Sequence, residues 1–227
     1  MENIRKFETE ADVMMFIQPN IVLVADTGKV LYNVDAPKGV FIQHIDGSLF
    51  TTNDWTAGGY SNAEANGVAI LDTEAKFVIS KKNVTANSGK PKWGDAVLIN
   101  NIVTTTSSAT AKKDYAGFDN TAGIIKQASN TWAAYHCNAY VFPNGQKGYL
   151  PALGEWIIAH KYYAAINNAM SLIGGTSLGF SWSSTQYNKD YAWYFDWTSG
   201  RVDYTYYTKE YTGYLFARPF TVFQLPT

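Results

Sequence analysis

Between Tyr191 and Trp197 the chain reads YAWYFDW, a run dominated by aromatic rings. Side chains alternate faces along an extended strand. Trp193, Phe195 and Trp197 then share one face, and Ala192, Tyr194 and Asp196 the other. Such a strand demands a core against its tryptophan face. Thr198-Ser199-Gly200 carries a turn signal, and Val202–Tyr207 (VDYTYY) reads as the returning strand. In a single-layer arrangement the tyrosine face is left to solvent; in a β-sandwich both faces are core. The segment 179–216 holds half of the chain's 16 tyrosines, at 187, 191, 194, 204, 206, 207, 211 and 214. Exposed tyrosines among Asp, Thr, Ser and Gly have the physics of a paratope: rigid amphipathic rings with small adaptable polar residues between them. The polar interleaving favours the exposed arrangement. The expectation is that Tyr194, Asp196, Asp203, Tyr204, Tyr206, Tyr207, Tyr211 and Tyr214 share one accessible surface, with Trp193 and Trp197 buried.

The rest of the chain supplies the body for this surface. At 227 residues, with 46% hydrophobic and 16% charged, it is long enough to bury a core without disulfide or metal staples and too apolar to be disordered. Eighteen basic against 19 acidic residues leave a net charge of −1, with no electrostatic footprint for nucleic acid or anionic membrane. Residues 1–37 read as a small arm: a helix over 8–17 capped by Thr9, then a hairpin of Asn20–Ala25 and Val30–Asn33 about Asp26-Thr27-Gly28-Lys29. The arm is too small to hold a core alone, so it docks on the main domain or on a partner chain. The main domain, 38–227, shows strand runs at Val40–His44, Gly67–Leu71, Phe77–Ser80 and Asp95–Ile99. A long Thr/Ser-rich connection follows over 101–121, then a short helix over 121–129. Apolar residues at helical spacing mark a longer helix over 153–173, ended by Gly174-Gly175. The fold class expected is α+β, with two helices and short antiparallel strands.

Few residues are arranged for chemistry. The single Cys137 excludes an intramolecular disulfide and a multi-cysteine zinc site. His136 precedes it directly, and strand neighbours point to opposite faces, so Cys137 reads as a buried structural residue. His44, His136 and His160 lack metal-ligand spacing, and no nucleophile elbow, phosphate loop or H-E-x-x-H occurs. Asp114, Asp119, Asp190, Asp196 and Asp203 are too spread for a calcium loop. No catalytic, metal or cofactor site is expected. The first 18 residues interleave charges with apolar residues, and no run approaches a membrane span. The expected place of synthesis is a cytoplasm, with exit by lysis or on a particle and no membrane insertion.

Several motifs together carry a resemblance. They are Gly148-Tyr149-Leu150-Pro151 with Gly154-Glu155-Trp156, Met170–Thr176 (MSLIGGT), Trp182-Ser183-Ser184-Thr185-Gln186, Ala192-Trp193, Gly200 and Arg218-Pro219-Phe220. Gly67-Val68-Ala69-Ile70, Lys92-Trp93-Gly94 and the run 112–117 (KKDYAG) fit as well. Over about 38–227 this resembles C-type-lectin-like domains of the formylglycine-generating-enzyme type, and in particular the variable proteins of diversity-generating retroelements of phages and prophages. The resemblance implies a gene whose 3′ end is rewritten from a template with errors at adenines, so that AAC codons become NNC. Such codons cannot encode Trp, Met, Gln, Lys or Glu. Trp182, Gln186, Lys189, Trp193, Trp197, Lys209 and Glu210 are then fixed, with the tryptophans, Trp182 included, buried beneath the surface, and the Tyr, Asp, Asn, Ser and Gly residues between them are permitted outcomes.

The implied function is hypervariable, non-enzymatic ligand binding. The ligand-binding residues would be Tyr187, Asp190, Tyr191, Tyr194, Asp196, Thr198, Ser199, Asp203, Tyr204, Tyr206, Tyr207, Tyr211, Gly213 and Tyr214. The protein would be a phage receptor-binding or tail-tip protein on the virion, facing a protein or glycan of a host bacterium. It would be a homo-oligomer, or attached to the particle through the arm. A bacterial surface adhesin is the alternative. An enzyme of the formylglycine-generating type is disfavoured, since its pair of C-terminal cysteines has no counterpart after Cys137, and the lectin tripeptides E-P-N and Q-P-D are absent.

Overall fold

The computed structural model describes residues 21–23, 30–32, 38–86, 89–127, 130 and 132–224. The chain divides into two compact units, Met1–Gly39 and Val40–Thr227. In the first, β1 (Ile21–Leu23) and β2 (Val30–Tyr32) pair antiparallel with Ile21 opposite Tyr32. The expected helix over 8–17 and the turn over 26–29 lie outside the described residues.

The second unit is α+β. One sheet has five strands: β3 (Gly39–His44), β4 (Leu49–Phe50), β5 (Ala65–Leu71), β6 (Lys76–Ile79) and β10 (Phe220–Val222), in the order β10-β6-β5-β3-β4. β5 is buried along its whole length. A Cβ on Gly67 would stand 2.4 Å from the Ile79 carbonyl oxygen, so the β5–β6 approach requires glycine there. The other sheet has three antiparallel strands, β7 (Phe180–Gln186), β8 (Ala192–Asp196) and β9 (Arg201–Asp203), with β8 in the middle.

Six helices are found among the described residues rather than the two expected: α1 (Thr52–Gly58), α2 (Ser108–Ala111), α3 (Gly117–Ile125), α4 (Ala133–Ala139), α5 (Leu153–Lys161) and α6 (Tyr163–Leu172). The single helix expected over 153–173 is broken at Tyr162, where φ is −109° and ψ 25°. The Tyr162 hydroxyl donates to Asp72 Oδ2 at 2.8 Å and Lys161 Nζ to Glu74 Oε2 at 2.8 Å, both in the β5–β6 connection. The break lets α5 bury Trp156, Ile158 and Ala159 while α6 buries Ile166, Ala169 and Met170. α3 begins four residues before the expected helix. His136 and Cys137 lie on α4, not on a strand, and burial pushes the Cys137 thiol well up. The expected strand Asp95–Ile99 is a turn that exposes Ala96, Val97 and Leu98.

Two large apolar clusters, and a small one of Ala69, Val78 and Phe142, form the interior. Trp156 stacks on Phe195 (6.0 Å between centroids) and meets Phe220 edge-on at 4.9 Å; Phe220 stacks on Phe77 at 4.8 Å. Trp193 and Trp197 belong to this cluster. Trp93, Trp132, Leu150, Trp182, Ala192 and Tyr194 form the second. Consecutive β8 residues therefore feed opposite clusters, and β8 is core on both faces.

Several ionisable groups are buried in this body, Arg218 and Glu155 among them. Arg218 donates to the carbonyls of Ser80, Thr176 and Ser177, each at 3.0 Å, tying the end of β6 to the chain after α6. Glu155 is buried at the start of α5, where it accepts from the Tyr149 hydroxyl and the Ala152 N–H, both at 2.7 Å. Burial, reinforced by the Asp114 carboxylate, pushes the Glu155 carboxyl up to about 8. A carboxyl raised in the folded state adds stability below its unfolded value of 4.5 and loses it as pH climbs to about 8. Glu155→Gln is expected to remove a slope of up to about 1.4 kcal/mol per pH unit across that window. Denaturant titrations of both proteins between pH 5 and 8 measure it; parallel profiles would contradict the assignment.

Candidate functional site

The site is built by what happens after β9. Val202–Tyr207 was the expected strand, but β9 stops at Asp203. The Asp203 carboxylate accepts from the backbone N–H groups of Tyr204 (2.7 Å) and Thr205 (2.9 Å) and from the Thr205 hydroxyl, turning the chain out of the sheet. These bonds, with Arg201 Nη2 3.6 Å away, hold the carboxyl below its ordinary range against the opposing effect of burial. Residues 204–214 then cross the end of the domain as a loop until Leu215 re-enters the core.

The loop tyrosines fall into two ring groups. In the first, Tyr187 and Tyr204 stack at 3.6 Å and 10°. Trp193 lies edge-on beneath them, at 5.3 and 5.0 Å, and Tyr191 is 6.4 Å from Tyr204. All three tyrosines are half-buried. In the second, Tyr207 lies 4.6 Å from Tyr211 and 5.8 Å from Tyr214, and Tyr214 packs on Phe180 at 4.9 Å. Lys90 Nζ sits 3.6 Å above the Phe216 ring and donates to the Tyr214 carbonyl at 2.7 Å. Tyr206 stands apart, 70% exposed, with the Arg201 guanidinium 5.9 Å from its ring.

The expected surface is thus only partly assembled. Tyr206, Tyr211, Gly213 and Tyr214 are exposed, as are Thr198 and Ser199 in the β8–β9 turn. Asp190, Asp203 and Tyr207 are half-buried. Tyr194 and Asp196 are not on the surface. Tyr194 is 1% exposed, in the second core cluster, 6.2 Å from Trp182 and 5.3 Å from Tyr207, for which it forms the floor. Burial, with the Asp203 charge, holds its phenol strongly protonated. Asp196 is 8% exposed and spends its carboxylate on the Thr198 N–H and the Ser199 hydroxyl. The reasons differ: the second core covers the Tyr194 ring on the far face of β8, whereas Asp196 turns its carboxylate onto the β8–β9 turn. Gly200 completes the turn at φ 72°, where an added Cβ would stand 2.6 Å from the His160 ring. Trp182, Trp193 and Trp197 are buried.

Lys90, Arg201, Phe180 and Phe216 frame the tyrosines without having been singled out from the sequence. Lys90 is 124 residues from the carbonyl it holds, so no local pattern marks it. An open groove of about 680 Å3 is lined by Val103, Thr110, Lys113, Asp114, Tyr115 and Asp119 among others. The Asp114 carboxylate in it is already engaged by the Ala116 N–H (2.9 Å), Asn120 (2.9 Å) and the Thr185 hydroxyl (2.7 Å). Among the described residues no group of three His, Cys, Asp or Glu side chains is placed to hold a metal, and no helix is long and apolar enough to cross a membrane. No family model, curated protein or solved structure matches this chain.

Scaffold and surface should separate in stability measurements. Trp193→Ala and Tyr194→Ser are each expected to cost about 3–5 kcal/mol through lost burial and a cavity. Tyr206→Ser should stay within about 0.5 kcal/mol. Denaturant unfolding of the three variants decides; equal losses would abolish the distinction.

Proposed function

We propose that this protein is a retroelement-diversified ligand-binding protein with a C-type-lectin-like domain. On this reading it is a non-enzymatic receptor-binding or tail-tip component of a phage particle. The observation that carries the reading is how burial divides 179–216. Five of the seven residues that NNC codons cannot encode, Trp182, Gln186, Trp193, Trp197 and Lys209, are buried; Lys189 and Glu210 are exposed. Tyr206, Tyr211 and Tyr214, which such codons can encode, are exposed on a loop outside the sheet. A surface rewritten every generation must leave the fold intact, and exposed loop positions do so because substitutions there change stability little.

The ligand-contacting set is Tyr187, Tyr191 and Tyr204 with Tyr206, Tyr207, Tyr211 and Tyr214, joined by Asp190, Thr198, Ser199, Asp203 and Gly213. Tyr194 and Asp196 leave it and join the scaffold. The partner is a protein or glycan on a host bacterium. Changeable contacts of this kind are individually weak, and linking several copies raises avidity by about 10²–10⁴ without new contacts. A homo-oligomer, or attachment to the particle through residues 1–37, follows; light scattering of the full chain should report more than a monomer.

The decisive observation is the DNA around the gene. A reverse-transcriptase gene is expected nearby, with a near-copy of the segment encoding about 179–216 that differs from it at adenines. The differing codons should fall on the exposed tyrosines and spare Trp182, Gln186, Trp193, Trp197 and Lys209. A neighbourhood without a template copy would sink the proposal. At the protein level, replacing Tyr206, Tyr207, Tyr211 and Tyr214 together by Ser is expected to abolish binding to host cells while the melting temperature moves by only a few degrees.

A further inference from the structure

Across the eleven residues 204–214, Lys209 is the single buried side chain. Its Nζ donates to the Val97 carbonyl at 2.7 Å and to Gln186 Oε1, and lies 4.5 Å from the centre of the Trp93 ring. The seat is built from the scaffold. Gln186, the last residue of β7, donates from Nε2 to the Ile99 carbonyl (3.0 Å) and the Thr104 hydroxyl (2.7 Å), and its Oε1 also accepts from the Ile99 N–H at 2.9 Å. The backbone of Lys209 is held on both sides: its N–H donates to the Asp190 carbonyl at 2.9 Å, and its carbonyl accepts from the Gly94 N–H at 3.1 Å. Its immediate neighbours, Thr208 and Glu210, are exposed.

We infer that Lys209 is the positioning residue of the tyrosine surface, pinning the loop at its midpoint so that 204–208 and 210–214 stand as two short arcs on a fixed post. A lysine suits the seat because it supplies donors to two buried oxygens that an apolar side chain would leave unmet. Each arc is then closed over only five residues, which leaves it less conformational freedom than one eleven-residue loop would have. What the pin serves rests on the ligand-binding reading above; the pin itself is tested without a ligand, so the two can fail separately.

Releasing the pin returns the Lys209 amine to water. Burial pulls that amine down to about 7, and among the described residues the charged group that acts on it, Asp190, works in the opposite direction. Release therefore takes up a proton between about pH 7 and 10.5, and the pinned state gains as pH rises through that window. The experiment is amide exchange by NMR on the full chain, read as protection factors at pH 7, 8 and 9. In the wild type, protection at the amides of Lys209, Gly94 and Tyr211 is expected to rise by nearly tenfold per pH unit, with no such rise at the β5 and β6 amides. In Lys209→Met those three amides should lose at least tenfold in protection, and the pH slope should vanish. A flat wild-type profile, or a Lys209→Met protein with undiminished protection, would overturn the inference. Should Lys209→Met not fold, the wild-type profile decides alone.

Discussion

The structure depends on one strand being core on both sides. β8 sends Phe195 to the cluster around Trp156 and Phe220, with Trp193 and Trp197 belonging to the same cluster, and sends Ala192 and Tyr194 to the one around Trp93 and Trp182. A central strand so placed cannot display anything. It holds β7 and β9 in register on either side, with Trp182 opposite Tyr194 and Phe195 opposite Val202, and it fixes where the chain leaves the sheet. Display is thereby transferred to the loop after β9.

That transfer separates two demands that conflict in most binding proteins. A binding ring must project into solvent, yet it binds well only if it is already ordered. Here the order is borrowed from fixed partners beneath. Tyr204 lies against Trp193, Tyr207 against the buried Tyr194, and Tyr214 against Phe180 with Lys90 holding its carbonyl. For these three rings, ordering does not depend on contacts among the displayed residues alone; Tyr206, by contrast, has only the exposed Arg201 guanidinium beside it.

The buried ionisable groups follow one pattern. Arg218, Lys209 and Glu155 each bind backbone carbonyls or N–H groups of segments distant in sequence or at a helix start. Each is moved by burial toward its neutral form: Arg218 to about 10, Lys209 to about 7 and Glu155 to about 8. Such groups add little by charge pairing; they matter because buried backbone groups of irregular connections must find partners somewhere. A domain rich in loops needs these side chains in place of ladder hydrogen bonds.

Local patterns in the sequence determined much of the architecture. The apolar runs at 40–44, 67–71 and 77–80 became strands β3, β5 and β6, the alternation at 191–197 became β8, and Thr198-Ser199-Gly200 became its turn. Alternation marked Trp193 and Trp197 as interior, and the codon rule that the resemblance implies marked Trp182. Local pattern could not tell whether a second layer would cover the far face of β8, because alternation specifies two faces and not what meets each. Tyr194 and Asp196 are polar enough for a surface; the cluster brought together from residues 93, 132, 150 and 182 decided that Tyr194 lies inside, and bonds to the β8–β9 turn engage Asp196. The break at Tyr162 escaped for the same reason: helical spacing runs through it, and the bonds from Lys161 to Glu74 and from Tyr162 to Asp72 span 87 and 90 residues. Composition thus located the tyrosine-rich segment. Long-range packing, which no window of sequence contains, chose which of its rings face water.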